Sequence, residues 1–180
     1  MSANPWELPA KNLDDYFCVH PERGREFVLR LPHGADPLKG IEKFAVDNNI
    51  RFAKVHAAFM GAFRPAKYMV WTPDTANPDN WHNESVATTE NLSMLLSIGG
   101  MIGIKKSYEG EEQSFVAMHF VAGGAWDTGT FGGHLYEGTR IAGTMCFFVT
   151  EMLNIDVIPP TEKPGLEDDP FPENWYYDLK

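Results

Sequence analysis

Histidine is the side chain here best suited to chemistry near neutral pH, and six occur among 180 residues. His119 falls in the run Phe115-Val116-Ala117-Met118-His119-Phe120, on the strand face it shares with Phe115, Ala117 and Val121. His134 follows Gly132-Gly133, where the absence of Cβ atoms lets backbone approach closely. Fourteen residues separate the two, enough for a hairpin that returns the second imidazole beside the first. Neutral imidazoles brought together in this way suit zinc or another divalent transition metal, with a further ligand from elsewhere. His56 is the expected third ligand, and His33, in a turn, is a further ligand-binding candidate. The alternative is structural: both rings donate hydrogen bonds that hold a Gly-rich turn or a subunit contact.

Other residue types carry less. Glu90, Glu137 and Glu151 can each act as an acid or base in a cleft, but no partner is paired with them along the chain, and a solvated or interface carboxylate is the default. Glu137, within the same segment as His134, is kept as a ligand-binding candidate. Trp71, Trp81 and His82 border the loop Pro73–Thr89 and form an aromatic rim suited to a pocket or a neighbouring subunit; Trp81 and His82 join the ligand-binding set. Cys18 and Cys146 follow no metal-finger or redox spacing, and Cys146, within Thr144-Met145-Cys146-Phe147-Phe148-Val149, is expected as a buried, inert thiol. The glycine pairs at 99–100, 123–124 and 132–133 lack the Lys-Ser/Thr and helix start of a phosphate loop. Asp74–Asn80 lacks the ligand spacing and distal glutamate of a calcium loop. No Gly-x-Ser-x-Gly elbow occurs, and no catalytic residue can be assigned.

The elements that must position these residues follow from local pattern. Arg25–Leu31 alternates and predicts a strand. Asp36 ahead of Pro37 is a strong helix start. Leu38, Ile41, Phe44 and Ala45 then line one face of a helix running to about Asn48. Further strands are predicted over Arg51–Phe59, Ala66–Thr72, Leu92–Ile98, Phe115–Ala122 and Ile141–Glu151, with Pro73–Thr89 as a long loop. The resulting fold class is α+β: a mostly antiparallel sheet with one principal helix packed on it. Residues 1–24 form an N-terminal arm, 25–152 the domain, and 153–180 an acidic tail rich in proline and aromatics.

The formal net charge is −10, and Asp156 to Lys180 carries seven acidic residues against two lysines. Such a surface repels a phosphate backbone unless a basic patch overrides it, and Lys105-Lys106, the one adjacent basic pair, is followed at once by Glu109, Glu111 and Glu112. Neither a signal peptide nor an apolar run approaching the roughly 20 residues of a membrane span is visible. With so few cysteines, a cytoplasmic location is the expectation.

Three segments together resemble the plants-and-prokaryotes-conserved (PPC, or PCC) domain. Leu29–Asp36, the helix and Asn49–Ala53 resemble the family's opening strand, turn, helix and second strand. Leu95-Leu96-Ser97-Ile98-Gly99-Gly100 is similar to its "LSLSGN" strand, and Phe115–Phe120 followed by Phe131–Gly138 to its "PFxHxH…GGHLxxG" signature. The resemblance implies a compact α/β fold assembling as a homotrimer, and histidines corresponding to His119 and His134 that bind zinc in some prokaryotic relatives. It also implies a DNA-binding label, carried over from plant members with separate AT-hook motifs. Two departures stand out: Arg23-Gly24-Arg25 is followed by Glu26 where an AT-hook has proline, and Ala117 replaces the first histidine of His-x-His. The activity expected is that of a trimeric metal- or small-ligand-binding module, with a DNA-associated protein and a metal-dependent enzyme as the alternatives.

Overall fold

Asp36 organises the first half of the domain. In the computed structural model, which describes residues 20–59, 61–72, 83–106, 111–124, 129–158 and 178–179, its Oδ1 caps helix α1 (Pro37–Asp47) by accepting from the backbone N–H of Leu38 and Lys39. Its Oδ2 accepts from Gly138 N–H at 2.7 Å and from Arg140 at 3.3 Å. One buried carboxylate thereby starts the helix and ties it to a turn a hundred residues later. Ile41 and Ala45 of the predicted stripe are fully buried, and Asn49, at φ 52°, takes the left-handed conformation after the helix.

The strands are β1 (Glu22–Leu31), β2 (Ala53–Phe59), β3 (Ala62–Phe63), β4 (Ala66–Thr72), β5 (Asn83–Thr89), β6 (Ser93–Lys106), β7 (Glu112–Gly124), β8 (Thr130–Leu135), β9 (Ile141–Ala142) and β10 (Met145–Leu153). They form one antiparallel sheet ordered β1-β10-β2-β6-β7-β8-β4-β5, with β3 attached to β6 and β9. A separate two-stranded ribbon joins β11 (Val157–Ile158) to β12 (Asp178–Leu179). The helix packs on one face of the main sheet, over a core that includes Val55, Ile98, Ile102, Met118, Phe120, Phe147 and Val149. The expected architecture, a mostly antiparallel sheet with one helix against it, is the observed one.

Three local expectations change. Part of the segment expected as loop, Asn83–Thr89, is a strand that pairs with β4 along its whole length; Val86, Thr88 and Thr89 supply the β-branched character that the polar composition masks. The strand expected over Leu92–Ile98 runs on through Gly99, Gly100 and Gly103 to Lys106, because β7 pairs with it in register to Glu112. The strand expected over Ile141–Glu151 breaks at Gly143, whose φ of 91° belongs to a turn.

Candidate metal and ligand site

Among the described residues, no element covers the face opposite the helix. One row of cross-strand neighbours spans it: Val28 on β1, Phe148 on β10, His56 on β2, Gly99 on β6, His119 on β7, His134 on β8, Met69 on β4 and Val86 on β5. Residues in such a row share a face, since side chains alternate along each strand and register fixes who stands beside whom. His119 and His134 are directly opposed, with ring centroids 4.8 Å apart and planes at 79°. Gly132-Gly133 permits this pairing. A Cβ at Gly132 would lie 2.1 Å from the Phe120 carbonyl oxygen, and one at Gly133 would lie 2.7 Å from that of Met69.

The electrostatics favour an uncharged His134. His134 is held below the ordinary imidazole pKa, first by burial, then by the neighbouring His119 and by Lys105. A neutral imidazole keeps a bare nitrogen, the form that binds metal or accepts a hydrogen bond.

Residues 19–153 match the model of the Plants and Prokaryotes Conserved (PCC) domain. The chain belongs to that family. A PCC-domain protein of Pyrococcus horikoshii is similar in structure, with a TM-score of 0.62 at 21% identity over 81% of this chain and 92% of that one. A protein of Archaeoglobus fulgidus described as metal-containing has a TM-score of 0.59 at 22% identity, covering 77% and 86%. A Bacteroides thetaiotaomicron protein named as a candidate DNA-binding protein has a TM-score of 0.55 at 17% identity, covering 74% and 85%. No curated protein sequence matches the chain.

Within this PCC domain the other candidates scatter. His56 shares the row but not the cluster. Gly99 stands between it and His119, which places the two Cα atoms roughly 9–10 Å apart at ordinary strand spacing. The His56 ring stacks on Phe148, and its Nε2 lies 3.4 Å from Thr150 Oγ1 on β10, on the side away from His119. Among the described residues no group of three or more His, Cys, Asp or Glu is placed to hold a metal ion. Among the described residues the donor set is therefore two imidazoles.

Glu137 pairs with Lys39 of the helix at 3.0 Å, and His33 accepts from Gly143 at the end of β9; neither meets the pair. Trp81 and His82 lie outside the described residues. Glu151 is buried and bonded to Arg25 at 2.7 and 2.9 Å, which holds its carboxyl below the usual range. That engagement makes it structural. Cys146 is half-buried, because alternation along β10 puts Met145 and Phe147 in the core and turns Cys146 to the open face. Lys105 escaped sequence reading: its influence on His134 follows from the course of the long β6–β7 ribbon, which composition does not reveal.

Proposed function

We propose that this PCC domain is a binding module that assembles as a homotrimer and holds a transition-metal ion or small ligand at His119 and His134. The observation carrying this reading is the opposed histidine pair on a sheet face that no described element covers. Two imidazoles fit two positions of a zinc-like ion, which takes four ligands, so the remainder would come from a neighbouring copy, solvent or the guest itself. Self-association is supported by apolar side chains exposed on the same face: Val28 at 67%, Leu96 at 62%, Val86 at 48%, Val121 at 41% and Phe148 at 38%. The A. fulgidus relative described as metal-containing supports the metal.

Elemental analysis of tag-free protein tests it. Near-stoichiometric transition metal, lost in the double variant His119→Ala, His134→Ala, is the expected result. A metal-free protein whose double variant also leaves small-molecule binding at that face unchanged overturns it. A metal carrying an exchangeable water in an open cleft would move the reading toward a metal-dependent enzyme.

A DNA-associated role is suggested by the naming of the B. thetaiotaomicron relative. The net charge of −10 opposes it, since duplex affinity rests on phosphate neutralisation by Lys and Arg. Fluorescence anisotropy with AT-rich and mixed duplexes near physiological salt should show no binding.

A further inference from the structure

We infer that the cleft between Arg30 and His33 binds a small oxyanion, carboxylate or phosphate in class, at a site separate from the histidine pair. The cleft has a volume of about 410 Å³ and is lined by Arg30, Pro32, His33, Gly143 and Thr144. No acidic residue lines it, which sets it apart on a chain of net charge −10.

Each donor is held in place by the backbone around it. Arg30 Nε donates to Thr144 Oγ1 at 3.1 Å, and that hydroxyl donates in turn to the Leu31 carbonyl at 3.1 Å. This chain fixes the plane of the guanidinium through its inner nitrogen and leaves the two terminal NH₂ groups for a ligand. Among the described residues no carboxylate pairs with Arg30, whereas Arg23, Arg25, Arg51 and Arg140 each have one. A planar fork with two free arms matches the two oxygens of a carboxylate or phosphate.

His33 supplies the second donor, and its tautomer follows from its partner. Its Nδ1 lies 3.1 Å from the backbone N–H of Gly143. An amide N–H can only donate, so Nδ1 is bare and the ring proton sits on Nε2. The imidazole is thereby committed as an N–H donor on an exposed ring. Gly143 is needed for this arrangement: its φ of 91° turns the chain so that its amide meets the ring. Pro32 restrains the backbone just before His33, which lowers the cost of holding the ring there. One positive fork and one neutral donor complement a single negative charge.

The test follows the His33 ring ¹H–¹⁵N resonances of the full chain by NMR during titration with inorganic phosphate, acetate and, as control, chloride. A saturable shift with phosphate or acetate at millimolar concentration, absent with chloride, is expected. Phosphate alone identifies the phosphate class, acetate alone the carboxylate class, and both a general oxyanion site. Arg30→Met should weaken binding about 10-fold or more, the loss typical of a charge-assisted pair, and Arg30→Lys should fall between, since it keeps charge without the fork. Arg30 is exposed, so these variants keep the fold, which the unshifted remainder of the spectrum verifies. Shifts no larger than with chloride, or an affinity unchanged in Arg30→Met, overturn the inference.

Discussion

His119 and His134 meet edge to face at 4.8 Å because β7 and β8 pair them in direct register. The first consequence is electrostatic. His134 resists protonation through burial, through His119 and through Lys105. In metal-free protein its ring should titrate below the ordinary value near 6.5. The unfolded chain then binds more protons than the folded one, so this residue weakens the fold as pH falls from about 6.5 through its folded pKa, and no further below it. NMR titration of the ring checks the shift. His119→Gln should raise it part of the way, leaving the contributions of burial and Lys105.

Adjacent glycines on β6 should behave oppositely. A Cβ at Gly100 would lie 2.0 Å from the Ala117 carbonyl oxygen, whereas one at Gly99 meets nothing nearer than 3.8 Å. Gly100→Ala should destabilise by roughly 1–3 kcal/mol, the cost of shifting packed backbone. Gly99→Ala should stay within about 0.5 kcal/mol of the parent, as surface substitutions do. Urea denaturation of the two variants gives the comparison.

Asp36→Ala removes the helix cap and leaves Gly138 N–H and Arg140 without their acceptor. A lost cap costs about 1 kcal/mol, and the half-buried Gly138 N–H left unpaired about 1–3 kcal/mol more. A total of about 2–4 kcal/mol, read from denaturant midpoints, is the expected outcome.

The exposed apolar face yields a test of assembly. Light scattering at micromolar concentration should give the mass of three chains. Leu96→Glu should shift the protein toward the single chain with its folded stability retained, because Leu96 is 62% exposed in the isolated subunit. A parent protein that remains monomeric would remove the trimer.

Local chemistry along the chain was sufficient for the helix, from its Asp36-Pro37 start to its Asn48-Asn49 end, because caps and 3.6-residue periodicity are short-range signals. The same holds for the side of β7 on which His119 stands, since alternation needs only neighbours. The glycines before His134 likewise announced a close backbone approach. Register lies beyond such signals. It took the full strand order to put His119 opposite His134, to turn His56 toward Thr150 with Gly99 between, and to bring Arg30 and His33 together with the Gly143-Thr144 turn. Apart from the His119–His134 hairpin pair, these contacts join residues about a hundred positions apart, and a one-residue slip would reverse the face of every side chain involved. The pairing of whole strands decides them, through the burial of one face against the helix.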